Sequence, residues 1–159
     1  MLNVGMVGMG GISRSHINSW LRIPEAKIVS VCDIRAEKAD AAAKATGARA
    51  YLDFEDMLKN ESFDILDICL RTYLHADFAV RALNAGKHVM CEKPMAINGE
   101  EAQKMIDAAK RTGKKLTIGY QNRYRPDSLY LKRACANGEL GEIYFARAHA
   151  VRRRGVPTW

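Results

Sequence analysis

The stretch Leu2-Asn3-Val4-Gly5-Met6-Val7-Gly8-Met9-Gly10-Gly11-Ile12-Ser13 decides how this chain is read. Its first half is a short apolar run without helical periodicity, the pattern of a buried strand. Its second half is a glycine turn that opens a helix. Gly8 can take the backbone angles of a tight turn, and Gly10 lets the main chain come close to a pyrophosphate. The helix that follows offers free N–H groups and the positive end of its dipole to phosphates. The third position of the pattern holds Ser13, small but not glycine, so the match is imperfect. A Gly-x-Gly alone is weak, because ordinary turns carry it too. Here it follows a strand, opens a helix and is answered by Asp33 at the end of a second apolar run. A carboxylate in that place accepts hydrogen bonds from both hydroxyls of an adenosine ribose and repels a 2′-phosphate. The expected cofactor is therefore NAD, with NADP disfavoured. Asp33, Ile34 and Arg35 are the candidate contacts at the adenosine end. Arg35 softens the preference for NAD, since a guanidinium can stack on adenine or pair with a phosphate.

Outward from this turn, strand-like runs alternate with helical patterns. Strands are expected near Leu2–Val7, Lys27–Cys32, Ala48–Tyr51, Ile65–Leu70, His88–Cys91 and Leu116–Gly119. Helices are expected over Ser13–Leu21, Arg35–Thr46, Phe54–Asn60, Leu74–Ala85 and Gly99–Thr112. Gly47 and Gly86 are terminators, and Asp53 and Asn98 are N-caps. Ala102, Met105, Ile106 and Ala109 share one helical face. Strand–helix repetition of this kind gives a parallel sheet covered on both sides. The fold class is α/β, a Rossmann doubly wound sheet of order 3-2-1-4-5-6 over residues 1–120.

After residue 120 the alternation stops. Pro126–Ala136 reads as a helix closed by Asn137-Gly138, and a long strand is expected over Glu142–Arg152. One strand with neither partner nor covering helix is not a domain. Residues 121–159 are therefore expected to be a linking helix and the first strand of a truncated α+β C-terminal domain.

Hydrophobic residues make up 48% of the 159 and charged residues 27%, a globular balance that can build a core. No run approaches the roughly 18 apolar residues of a membrane span, and the N-terminus reads as a strand rather than a signal peptide. Cys32, Cys69, Cys91 and Cys135 lack C-x-x-C spacing, and three lie in strand-like runs; buried thiols and a reducing, cytoplasmic setting are expected. The net charge is +7. Much of it falls late, at Arg123, Arg125, Lys132, Arg133, Arg147 and Arg152-Arg153-Arg154. Without zinc-finger spacing or an RNA-binding aromatic motif, this reads as a solvated or partner-facing surface. Neither nucleic acid, membrane nor metal is expected as a partner.

The segment Asp64–Pro126 adds specificity. It holds Ala85-Gly86-Lys87-His88-Val89 followed by Glu92-Lys93-Pro94. In this segment the chain closely resembles the glucose–fructose oxidoreductase, inositol dehydrogenase and rhizopine-catabolism (Gfo/Idh/MocA) family, and the resemblance extends over essentially all of it. It implies that Gly8, Gly10, Gly11 and Ile12 form the pyrophosphate loop and that Asp33 is the ribose acid. Leu70 and Thr72 belong to a loop passing the cofactor, where the family usually has proline in the place of Arg71. His75 matches a histidine at the start of the next helix and is a candidate cofactor contact, with a loop-closing structural role as the alternative. Glu92 and Lys93, both candidate cofactor contacts, match a motif whose lysine faces nicotinamide and substrate; Glu92 anchors the lysine or contacts a ribose hydroxyl. Gln121 stands at an amide position in a stretch that carries Arg123. The resemblance also implies an Asp and a His on a second domain, at positions expected beyond Trp159, and a homo-oligomeric parent.

Hydride transfer from an alcohol needs a proton acceptor near the reacting oxygen and a group to stabilise developing alkoxide charge. Lys93, expected to be partly desolvated, is the candidate catalytic residue. Pro94 fixes the backbone after it. His16 reads as a capping or packing histidine, His88 as structural, and Tyr120 and Tyr124 as core aromatics in preference to pocket walls. His149 is given no role. The function expected is an NAD-dependent oxidoreductase of a sugar, inositol or related polyol, this piece being the cofactor portion and inactive alone. The alternative is a non-catalytic NAD-binding sensor, which has no need of the lysine. A methyltransferase also uses a glycine turn and an acid, but leaves Glu92-Lys93-Pro94 unexplained.

Overall fold

A computed structural model describes residues 1–151 and 153. The chain divides after Tyr120 into two units. The first alternates β1 (Leu2–Val7), α1 (Ser13–Trp20), β2 (Ala26–Cys32), α2 (Ala36–Thr46), β3 (Arg49–Tyr51), α3 (Phe54–Asn60), β4 (Ile65–Ile68), α4 (His75–Asn84), β5 (His88–Cys91), α5 (Gly99–Thr112) and β6 (Leu116–Ile118). Expected and observed ends agree within two residues. The expected terminators and caps do their work. Gly47 closes α2 at φ 72°; Asp53 accepts from the Asp56 N–H at the start of α3; Asn98 accepts from the Glu101 N–H at the start of α5.

All six strands pair in parallel, in the order β3-β2-β1-β4-β5-β6. The order reverses between β1 and β4, which makes their carboxyl ends the crevice where open α/β sheets take ligands. Two apolar clusters hold the sheet between its helices. Val4, Met6, Ile28 and Val31 join Ile17 of α1 and Ala42 of α2. Leu66, Ile68, Val89 and Cys91 join Phe54 and Met57 of α3, Ala79 and Leu83 of α4, and Met105 and Ala108 of α5. Each fully buried Met or Leu here contributes roughly 1.5–3 kcal/mol relative to leaving it in water.

The second unit contains a short 3₁₀ turn, Gln121–Tyr124, and α6 (Pro126–Ala136), which starts on its proline as expected and is followed by Gly138 at φ 72°. The strand expected over Glu142–Arg152 is not formed. Residues 142–151 carry no regular structure, and 152 lies outside the described residues. Apolar alternation favours a strand only when a neighbour satisfies its backbone N–H and C=O groups, and none pairs with it among the described residues. Tyr120 and Tyr124 are also not core residues: they are 45% and 69% exposed. Tyr120 lies just past the end of β6, and Tyr124 is the last residue of the 3₁₀ turn. Among the described residues no helix is long and apolar enough to cross a membrane.

Candidate active site on one edge of the sheet

The register sets the site. Val7 lies opposite both Cys32 and Ile68, and Ile68 lies opposite Cys91. The hydrogen-bond ladder then carries past the strand ends. Gly8 N–H donates to the Cys32 carbonyl (2.9 Å), Cys69 to Val7 (2.8 Å), Glu92 to Ile68 (2.9 Å) and Gly119 to Cys91 (2.8 Å). Gly8, Asp33, Cys69-Leu70 and Glu92-Lys93 therefore leave the sheet along one edge.

Within the turn the glycines do different things. Gly8 has φ +86°, and a Cβ there would lie 2.8 Å from the Cys69 backbone, so the end of β4 itself requires glycine. Gly10 and Gly11 are not at positive φ. A Cβ on either would meet nothing within 4 Å. Packing therefore demands neither glycine, and the open space beside them is the cradle a closely approaching pyrophosphate needs. Ser13, where glycine is usual, is buried, and its hydroxyl donates to the Gly10 carbonyl at 2.7 Å. The departure from the pattern thus ties the turn to the first turn of α1. Ile12 precedes that helix, 45% exposed. A cleft of about 490 Å³ opens from Met9, Gly10 and Gly11 between α1 and α2.

Asp33 is half-buried at the end of β2. Its two carboxylate oxygens accept the backbone N–H groups of Met9 (2.8 Å) and Arg35 (2.9 Å). Each keeps a lone pair for a ribose hydroxyl. Ile34 and the Arg35 side chain are exposed beside it.

Leu70 and Thr72 are half-buried in the loop after β4. Arg71 sits at φ −72°, inside the range a proline ring would impose, so the loop has the shape a proline would give it. His75 is 1% exposed. Its Nδ1 lies 2.8 Å from the Pro94 carbonyl oxygen and its Nε2 3.0 Å from that of Leu70, so the ring sits between this loop and the Glu92-Lys93-Pro94 turn. The Lys93–Pro94 peptide bond is cis.

Beneath that turn lies a buried charged cluster. His16 of α1 places Nδ1 against both oxygens of Asp67 (3.0 and 2.9 Å) and Nε2 against Glu92 Oε1 (3.0 Å). Trp20 Nε1 donates to Asp67 Oδ2 at 2.7 Å. The second Glu92 oxygen accepts the Lys93 backbone N–H at 3.0 Å. Asp67 is fully buried and His16 is 8% exposed. Burial opposes charging the imidazole, but hydrogen bonds and attraction from Asp67, then Glu92, outweigh it and raise the His16 pKa to about 9. Reading His16 as a packing histidine missed this. Asp67 carried the available signal: a carboxylate inside an otherwise apolar strand must find a buried partner.

Cys69 lies with His16 and Asp67 so that their donor atoms fall within 4.8 Å of one another. Asp67 already accepts from His16 and Trp20. Burial, reinforced by Asp67, pushes the Cys69 thiol up, which keeps it a weak ligand and nucleophile. Burial likewise pushes Cys32 and Cys91 up to about 12. All four cysteines are free, with Cys135 exposed. His88 is structural, its Nδ1 accepting the Lys115 N–H at 3.0 Å.

Lys93 is exposed. That exposure leaves its expected partial desolvation unsupplied within this unit. Gln121 is exposed at the start of the 3₁₀ turn of the second unit.

The chain is 37% identical over 160 residues to D-glucoside 3-dehydrogenase of Escherichia coli K12, covering 99% of this chain and 46% of that protein. It is 33% identical over 162 residues to inositol 2-dehydrogenase of Salmonella paratyphi B, covering 99% and 48%. The chain thus spans about half the length of these relatives. Among solved structures it is similar to the WlbA dehydrogenase from Bordetella pertussis in complex with NADH and UDP-GlcNAcA, at a TM-score of 0.86 and 35% identity over 90% of this chain and 45% of that one. Residues 2–120 match the oxidoreductase family with an NAD-binding Rossmann fold, and the chain belongs to that family.

Proposed function

We propose that this chain is the cofactor-binding portion of an NAD-dependent oxidoreductase that moves a hydride between nicotinamide and a CH–OH carbon of a sugar, an inositol or a related polyol. One observation carries the reading: the glycine turn, Asp33 and Glu92-Lys93 leave the ends of β1, β2 and β5 along a single edge, at the reversal of strand order. The activities for which the glucoside and inositol dehydrogenases are named support the substrate class.

NAD, when bound, supplies the carbon that takes up or returns the hydride. Gly8, Gly10, Gly11 and Ile12 hold the pyrophosphate with backbone N–H groups. Asp33 takes the ribose hydroxyls and disfavours a 2′-phosphate, with Ile34 and Arg35 beside the adenosine. Leu70 and Thr72 flank the cofactor, and His75 fixes their loop to Pro94. Glu92 orients the turn from which Lys93 reaches the reacting oxygen and stabilises its charge as the proton leaves. Gln121 is assigned a cofactor contact. Residues 121–159 are read as the start of the part that holds substrate and joins copies of the parent, with proton transfer completed there.

The test is Lys93→Ala in the oxidoreductase that carries this chain. Turnover falls roughly 10²–10⁴-fold, the usual size of an acid–base contribution, while NAD affinity is kept. Unchanged turnover overturns the reading.

A further inference from the structure

Three elements meet at His16. It sits on α1, the helix that directly follows the pyrophosphate turn. One ring nitrogen faces Asp67 on β4 and the other faces Glu92 after β5. Glu92 cannot take its place by packing alone. Its side chain is 14% exposed, and burying a carboxylate without a partner is costly. Nor can Glu92 lean on Asp67, because two facing carboxylates repel. Between them a doubly protonated imidazole donates to each, leaving the second Glu92 oxygen free to accept the Lys93 N–H at 3.0 Å. Gly119 closes the back of this arrangement: a Cβ there would come within 3.1 Å of Glu92 Oε1. The groups facing the imidazole are Asp67, Glu92 and, through Asp67, Trp20 and Cys69.

We infer that His16 is a positioning residue for Lys93: by bridging Asp67 and Glu92 it holds the Glu92 carboxylate on the Lys93 backbone N–H and fixes the lysine turn relative to the pyrophosphate turn. This rests on the assignment of Lys93 above, but its physical content is a hydrogen-bond chain in the protein itself. The chain runs Asp67–His16–Glu92–Lys93 N–H. It joins the pyrophosphate turn to the lysine turn of the proposed cofactor site through one side chain.

The two ring nitrogens allow a test that separates positioning from packing. An asparagine amide at 16 reproduces the Nδ1 donor toward Asp67 and loses the contact with Glu92. A glutamine amide reproduces the Nε2 donor toward Glu92 and loses the one with Asp67. Amide hydrogen exchange at Lys93 is measured in the 159-residue chain and in the His16→Asn and His16→Gln variants. Exchange is expected to speed up roughly tenfold or more in His16→Asn, the loss expected of a hydrogen bond to a charged group. In His16→Gln it stays close to the parent. Equal exchange in the two variants, or no change in His16→Asn, overturns the inference. Should a variant fail to fold, ¹⁵N spectra of the His16 ring in the parent chain decide instead. Two protonated ring nitrogens at pH 7.5 are expected, and a neutral tautomer overturns the bridge. Neither readout involves cofactor or turnover, so a failure here is distinct from a failure of Lys93→Ala in the functional assay.

Discussion

Asp33 Oδ2 accepts the backbone N–H of Met9 at 2.8 Å, so the residue assigned to the ribose also ties the glycine turn to the end of β2. With Arg35 N–H on its other oxygen, Asp33 satisfies two loop donors at once. Asp33→Ala is expected to lower stability by about 1–3 kcal/mol in urea unfolding, the usual result of leaving partly buried donors unpaired. In the same variant the ratio of NADPH to NADH affinity rises, because the charge facing a 2′-phosphate is gone. Unchanged stability would show that the turn does not depend on Asp33.

The glycines of the turn separate fold from ligand. Gly8→Ala forces a side chain onto a positive φ and against the Cys69 backbone; the φ alone costs about 1–2 kcal/mol, and thermal melting falls accordingly. Gly10→Ala meets nothing within 4 Å and leaves the melting temperature in place. Its effect is on cofactor binding, where the added methyl occupies the approach of the pyrophosphate. A loss of stability equal to that of Gly8→Ala would contradict this division.

The His16 cluster gives stability a pH dependence of definite sign. The folded chain holds the imidazole proton more tightly than the unfolded chain, with a pKa of about 9 against 6.5. Its contribution is full below pH 6.5 and is lost as pH rises through 9. Melting temperature is expected to decline over that window in the parent chain, and this part of the decline disappears in His16→Gln. A parent profile that matches the variant's between pH 6.5 and 9 would rule out a charged bridge.

Ser30 on β2 is fully buried, and its hydroxyl finds no hydrogen-bond partner among the described residues. Ser30→Ala removes that unsatisfied group with little change in volume. Chemical denaturation is expected to show unchanged or higher stability, by about 1 kcal/mol. A clear destabilisation would mean that the hydroxyl has a partner.

What could be read from sequence was local. Gly8, Asp33 and the caps Asp53 and Asn98 declare themselves through their immediate neighbours, and the strand–helix alternation that contains them dictates the sheet order. His16, Asp67 and Glu92 come from three separate elements, 51 and 76 residues apart along the chain. Their meeting depends on register, which no local pattern encodes. The double use of Asp33 and the Ser13–Gly10 bond depend likewise on turn geometry. The expected strand at Glu142–Arg152 failed because alternation states which face would be buried but supplies no neighbour to bury it. Tyr120 and Tyr124 failed because aromatic character alone says nothing about what covers a segment end.

The most direct test of the central claim, that NAD lies along the edge formed by Gly8, Asp33 and Glu92, is a backbone amide chemical-shift titration of the 159-residue chain with NAD, raised until the shifts saturate. This readout tolerates the weak affinity expected of a cofactor-binding portion alone. Shifts are predicted to concentrate at Met9–Ile12, Asp33–Arg35, Leu70–Thr72 and Glu92-Lys93, with Gly10→Ala diminishing them. No perturbation at high NAD, or perturbation confined to other surfaces, would contradict the account.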